Sequence, residues 1–185
     1  MLEMPTLIPV GFVSPAKRVA FMGPMCSGKT FCANHLVNMW GFEKIGLADK
    51  LKALAYDLYG VNGKDGESRQ LLQTLADDLK KYDKDLFVKH LLYRAKIYEY
   101  NHIVVDDLRY KVEADVLRRN GFIIIKVLCK DHIRQERIAR LYPSAPATAH
   151  AHRSEQEWTT IRYDKFIVSE DINTIFDLDK ILGLE

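Results

Sequence analysis

Val19-Ala20-Phe21-Met22 followed by Gly23-Pro24-Met25-Cys26-Ser27-Gly28-Lys29-Thr30 is the stretch that decides the fold. A short apolar run, a glycine-cornered loop and a helix-like run from about Thr30 follow one another. The loop has the spacing G-x-x-x-x-G-K-[ST] of a phosphate cradle. Physics fixes these residue types. Gly23 and Gly28 let the backbone curl so that its N–H groups line an anion nest. The N-terminus of the next helix adds partial positive charge at the same point. Lys29 reaches the β- and γ-phosphates, and Thr30 offers a hydroxyl to Mg²⁺. Chance alone would give this pattern in a chain of 185 residues on the order of once in a hundred, and its strand–loop–helix setting lowers that further.

Composition agrees with one domain large enough for a full core. Hydrophobic residues make up 48% and charged residues 28%, both ordinary globular values. A net charge of +2 is too small to argue for a nucleic-acid surface and is compatible with a locally basic pocket for anionic substrates. Cys26, Cys32 and Cys129 are odd in number and lack CxxC spacing. They read as reduced thiols of a cytoplasmic-type compartment. No apolar run reaches membrane-spanning length. Residues 1–16, with Pro5, Pro9 and Pro15, read as an extended N-terminal arm without the marks of a signal peptide.

Along the chain, the first strand is expected at about 18–22. The helix after the loop carries Phe31, Ala33, Leu36, Val37 and Trp40 at helical spacing and ends at Gly41. A short strand is expected at 43–47. Asp49 is a good N-cap for a helix whose inward face is Leu51, Leu54, Ala55 and Leu58. Residues 60–68 form a Gly-rich loop. Helices are expected at 69–79 and 83–95, the second with Leu86, Phe87, Leu91 and Leu92 inward. His102-Ile103-Val104-Val105 is a β-branched run that ends in Asp106-Asp107-Leu108-Arg109. Carboxylates at the end of such a strand lie at the ligand crevice of an open α/β sheet. A helix over 110–119, a strand over 122–128 and a helix over 131–141 follow. The last of these bears Arg134, Arg137 and Arg140 in a band. Residues 141–154 read as a small lid, and His150 and His152 lack the spacing and third ligand of a metal site. A short helix from Ser154, a strand at 164–168 and a helix at 172–183 close the chain. The fold class is therefore α/β: a phosphate-loop, three-layer α/β/α domain with a five-stranded parallel sheet.

Chemically, the parts suit transfer of a γ-phosphoryl group to a small acceptor. Such transfer needs charge neutralisation and positioning more than covalent chemistry. No guanine-reading Asn/Thr-Lys-x-Asp motif occurs, and the chain has little room for motor or switch machinery.

Several segments together resemble the deoxynucleoside monophosphate kinases of tailed bacteriophages. They are the phosphate loop, Leu47-Ala48-x-x-Leu51-Lys52, Arg69-x-Leu71-Leu72-Gln73-x-Leu75-x-x-Asp78-Leu79, Asp83 with Phe87-Val88-Lys89, and Ile103-Val104-Val105-x-Asp107-x-Arg109 with Glu113. Gly121 and His152-x-Ser154-Glu155 continue the series, which runs from about residue 18 to 183. The chain is similar, more distantly, to animal-type phosphomevalonate kinases. The resemblance implies an adenylate-kinase-like fold that moves phosphate from ATP to a 5′-nucleoside monophosphate with Mg²⁺. Gly23, Cys26, Ser27, Gly28, Lys29, Thr30 and Arg140 would hold the donor nucleotide. Residues 48–98 would form the acceptor region, with Asp49, Lys52, Arg69, Gln73, Asp78 and Arg109 on the acceptor. Arg137 or Arg140 would clamp the transferring group. Asp106 or Asp107 would serve metal and substrate: the Asp-x-Arg element favours Asp107, while Asp106 also suits the strand end. The partners implied are small molecules, with a homodimer compatible and a host-cytoplasm setting if viral. The chain departs from the family at Ala76, where Gly is expected, and at Ser169-Glu170-Asp171, in place of Asn-Asp-Gly.

Overall fold

The computed structural model describes residues 16–61, 66–97, 102–142 and 157–184. Five parallel strands, β1 (Arg18–Met22), β2 (Glu43–Lys44), β3 (Ile103–Leu108), β4 (Phe122–Leu128) and β5 (Lys165–Val168), lie in the order β2-β3-β1-β4-β5. Helices α1 (Lys29–Trp40), α2 (Asp49–Tyr59), α3 (Gly66–Tyr82), α4 (Leu86–Ile97), α5 (Lys111–Arg119), α6 (Asp131–Leu141) and α7 (Thr174–Leu182) connect and cover them, with a 3₁₀ turn at Glu157–Thr160. The expected parallel sheet is present, and the expected element order holds across the described residues, with the 3₁₀ turn near the short helix expected from 154.

The central strand β1 is buried on both faces, as a strand covered by helices on either side must be. Val19 and Phe21 pack with Cys32, Ala33 and Leu36 of α1 and Leu178 and Leu182 of α7. Ala20 and Met22 pack with Val88 and Leu91 of α4 and Ala114 and Leu117 of α5. These are the outer layers of the sandwich. On the first of them, His35 Nε2 sits 2.8 Å from Asp179 Oδ1, and the Trp40 indole donates to the same carboxylate at 2.9 Å, clasping α1 to α7.

Some local expectations shift. Phe31 and Trp40 are partly exposed, and Cys32 takes the inward place on α1, its thiol pushed up to about 12 by burial. Leu58 is exposed because α2 covers the core along one narrow stripe, Leu51 and Ala55. Asp49 is not the N-cap of α2; that residue is Ala48. Asp49 instead lies in the first turn, and its carboxylate accepts the Gly46 N–H at 2.7 Å. The strand expected at 43–47 is assigned only at Glu43–Lys44, although Ile45 N–H still donates to Val104 O at 3.0 Å. The helix expected from 83 begins at Leu86, and α3 begins inside the expected loop, at Gly66. Almost all of the N-terminal arm, residues 62–65 of the expected loop and almost all of the 141–154 lid lie outside the described residues, as do His150, His152 and Ser154.

α3 is tied to the core near its C-terminal end. Lys80 Nζ lies 3.5 Å from the Tyr110 ring centroid and 3.4 Å from Glu113 Oε1. Glu113 also accepts the Tyr110 N–H at the start of α5, at 3.3 Å. Burial pushes the Glu113 carboxyl above its ordinary range, against the pull of Lys80. The sign follows by linkage. A raised folded-state value means that folding takes up a proton in the window above the ordinary glutamate range, so this contribution is present at low pH and lost as pH rises through the raised value. Wild type should therefore gain stability relative to Glu113→Gln as pH falls from 7 towards 5. Denaturant midpoints for both proteins across that range check it, and a gap of opposite slope would refute the burial argument.

Candidate active site

The loop between β1 and α1 is held in the conformation that the glycines permit. Gly23 and Gly28 have φ of 144° and 103°, and Cys26, at φ 61°, adopts the left-handed region without being glycine. A Cβ on Gly23 would collide with the Val127 carbonyl, and one on Gly28 with the Ser169 hydroxyl. The two glycines are thus required by space as well as by backbone angle. Ser27 is fully buried beneath the loop. Lys29 Nζ folds back over the loop and donates to Gly23 O at 2.8 Å and Pro24 O at 2.6 Å.

Two cavities adjoin this loop. One, of about 530 Å³, is lined by Gly28, Phe31, Arg137, Arg140, Leu141, Ser169, Asp171 and Ile172. The other, of about 580 Å³, is lined by Lys44, Gly46, Asp49, Lys52, Asp106, Asp107 and Arg109. Cys26, Lys29, Thr30 and Tyr142 line both. The first combines apolar side chains with two arginines. The second is rich in charge of both signs.

The two aspartates that end β3 part company. Ala20 pairs with Val105 but Met22 pairs with Leu108, so β3 carries one extra residue at Asp106-Asp107. Such a bulge re-aims side chains. Asp106 turns to α1, where its Oδ2 accepts the Thr30 hydroxyl at 2.8 Å and meets Lys44 Nζ at 2.6 Å. Asp107 turns to the start of α2. Its two oxygens accept the N–H groups of Leu47 at 2.8 Å and Ala48 at 3.0 Å. Burial holds the Asp107 carboxyl above its ordinary range, opposed by those two N–H bonds. Asp107 is therefore engaged in shaping the wall of the second cavity, whereas Asp106 and Thr30 present hard oxygen donors together. That donor chemistry fits Mg²⁺.

The arginine band divides as well. Arg134 turns back to Asp131, 2.7 Å away at the start of α6. Arg137 reaches the loop, with Nη1 donating to Cys26 O and Cys129 Sγ, both at 3.4 Å. Arg140 lines the first cavity beside it. On the other side, Lys52, Asp49 and Arg109 gather in the second cavity. Asp78 pairs with Lys81 at 2.6 Å on the exposed face of α3, and neither it nor Gln73 lines either cavity. The Arg69 side chain lies outside the described residues. Sequence reasoning passed over Lys44, Phe31 as a cavity residue, and Ile172, and marked Ser169 only as a departure from the family. Lys44 comes to the site through the register of β2 on β3: paired two positions before a strand-end carboxylate, it shares that carboxylate's face.

Among the described residues no group of three or more His, Cys, Asp or Glu gathers as a metal cluster, and no helix is long and apolar enough to cross a membrane.

Comparison with known proteins agrees with this geometry. A protein of Acanthamoeba polyphaga mimivirus, provisionally named a deoxynucleotide monophosphate kinase, is 27% identical over 139 residues, covering 59% of this chain and 72% of its own. Among solved structures, TT1252 from Thermus thermophilus superposes with a TM-score of 0.61 at 17% identity, covering 92% of this chain and 98% of that one. The APS kinase of Mycobacterium tuberculosis, bound to AMPPNP and APS, gives a TM-score of 0.55 at 16% identity over 92% and 98%. The shikimate kinase of Acinetobacter baumannii gives 0.53 at 14% identity over 93% of each chain. The fold is thus that of the P-loop kinases. With its phosphate loop, its bulged acidic strand and a family model matching residues 19–157, the chain belongs to the AAA domain family.

Proposed function

We propose that the protein is a kinase, one domain over residues 1–185, that transfers the γ-phosphoryl group of ATP to a 5′-(deoxy)nucleoside monophosphate, giving the diphosphate and ADP. The carrying observation is that two cavities of similar size meet at Lys29 and Thr30. A hydrolase needs one nucleotide pocket and a water; a transferase needs two pockets that share the reacting centre. The name of the mimivirus relative points to the same acceptor class.

The first cavity would take the donor. Phe31, Leu141 and Ile172 offer apolar surface to a base, and the loop N–H groups and Lys29 meet the phosphates. Arg137 and Arg140 neutralise charge spreading over the transferring group. The second cavity would take the acceptor, with its phosphate against Lys52 and Arg109, both on elements fixed by the sheet. An acceptor phosphate oxygen attacks the γ-phosphorus, and the β–γ bridging oxygen leaves with ADP. A monophosphate is already ionised at neutral pH, so no general base is required. Thr30 and Asp106 would hold Mg²⁺, which supplies charge neutralisation at the β- and γ-phosphates. Asp107 keeps the Leu47-Ala48 turn, and with it Lys52, in place.

A coupled assay of ADP formation from ATP and Mg²⁺ with each of the four dNMPs tests the reading. Acceptor-dependent ADP, at least about tenfold above the ATP-only rate, is expected for one or more of them. Its absence with all four, alongside turnover of phosphomevalonate, dephospho-coenzyme A or hydroxymethylated DNA, would replace the acceptor. Absence with every acceptor would overturn the kinase assignment.

A further inference from the structure

Lys44 stands outside the loop motif, yet its side chain lines the second cavity beside Asp106 and Thr30. Its ammonium is 2.6 Å from Asp106 Oδ2, the same oxygen that accepts the Thr30 hydroxyl at 2.8 Å. The Lys44 side chain is 32% exposed and that of Asp106 only 11%, so the pair forms in a partly desolvated place with one side open. The open side is the cavity that holds Lys52 and Arg109. Register explains the reach. Lys44 pairs with Val104, two residues before Asp106 on the same face of the sheet. An extended lysine leaning along β2 then covers the distance to the strand end.

One oxygen cannot serve a hydroxyl donor, an ammonium and a divalent cation equally. A dication drawn to Thr30 and Asp106 competes with these two donors for Oδ2, and it repels the ammonium beside it. The ammonium is the mobile member of the set, since Thr30 and Asp106 are fixed by a helix start and a bulge. The adjoining cavity offers it a place where an anionic phosphate would be welcome.

We propose that Lys44 is a built-in counter-cation for the Asp106–Thr30 pair, which competes with the divalent cation for the carboxylate and, once displaced, turns to the acceptor's phosphate. The proposal rests on the reading of Asp106 and Thr30 as the metal-holding pair. Without nucleotide, Lys44 keeps the carboxylate in position and offsets its charge. With metal and donor bound, the same ammonium becomes a third cation for the acceptor, alongside Lys52 and Arg109. Donor loading would thereby improve the acceptor pocket, which orders the two substrates.

Mn²⁺ retention in the presence of a non-hydrolysable ATP analogue, read from the free-ion resonance signal, tests this directly. Lys44→Met keeps the stem and removes the charge. It is expected to bind Mn²⁺ roughly three- to tenfold more tightly than the parent protein, the size of a partly exposed ion pair released. Lys44→Arg should stay close to the parent. With Mg²⁺, the acceptor KM of Lys44→Met should rise about tenfold while the donor KM holds. A purely structural ion pair would lower the melting temperature without tightening the metal. Equal or weaker Mn²⁺ retention by Lys44→Met, or by Lys44→Gln should the methionine variant not fold, would overturn the proposal, as would a parent protein that retains no Mn²⁺. Tighter Mn²⁺ without turnover of any dNMP would count against the acceptor assignment and leave the counter-cation role standing.

Discussion

Lys29→Met is expected to lower phosphoryl transfer by about a thousandfold or more while leaving the melting temperature within a few degrees of the parent. The two halves of that expectation have separate physical sources. In the protein, Lys29 Nζ donates to the Gly23 and Pro24 carbonyls at 2.8 and 2.6 Å, at a partly exposed position. Those carbonyls accept from water once the ammonium is gone, so the cost to the fold is about 1 kcal/mol or less per bond. Methionine keeps the aliphatic stem and the helical propensity of the first turn of α1. Catalysis has no such substitute. Lys29 lines both cavities, and in the proposed transfer charge on the migrating group grows beside it as the bond to the leaving oxygen lengthens. Steady-state ADP release at saturating substrates, paired with a circular dichroism melt, checks both halves. A rate within about tenfold of the parent would refute the site assignment.

Asp107→Ala should act almost entirely on the acceptor. Its carboxylate accepts from two backbone N–H groups, Leu47 and Ala48, that lead into α2. Each buried donor left unsatisfied costs about 1–3 kcal/mol, so the turn is expected to rearrange. Lys52 and Asp49 travel with it, because both lie on the first turn and a half of α2. The acceptor KM should rise by about a hundredfold, and the dissociation constant for the donor nucleotide should change less than threefold. Asp107→Asn should fall between, since an amide offers one acceptor oxygen where a carboxylate offers two. Equilibrium binding of a fluorescent ATP analogue separates the sides. A donor affinity that drops as far as the acceptor affinity would show that Asp107 serves the nucleotide, not the α2 turn.

How far the chain disclosed this architecture varies by element. The phosphate loop was fully legible, because its glycines answer to local backbone geometry and its lysine to local electrostatics. β4 was legible too: seven consecutive residues, Phe122–Leu128, contain no competing periodicity. The division of labour between Asp106 and Asp107 was not. It depends on a one-residue bulge between β3 and β1, which is a property of two strands pairing and leaves no mark in either alone. Lys44 was hidden for a similar reason. Its partner is 62 positions away, and only the register of β2 on β3 brings them together. The inward faces of α1 and α2 were partly misjudged because amphipathic periodicity shows a stripe, while the width actually covered is decided by the neighbours. Thus Phe31 and Leu58, on the stripe by spacing, end outside it. Phe31 lines the first cavity, so its exposure is that of a cavity wall.

The knot of Lys80, Glu113 and Tyr110 also has a mechanical meaning. α3 is 17 residues long, about 26 Å at the usual helical rise, and Lys80 lies two residues from its C-terminal end. A rod gripped near one end is a lever. A tilt of only about 10° at the Lys80 end would carry the opposite end, at Gly66, through about 4 Å, most of the roughly 5.4 Å pitch of a helical turn. Strengthening or loosening the grip of Tyr110 and Glu113 would therefore tune how far the N-terminal end of α3 can swing, from a point remote from both cavities.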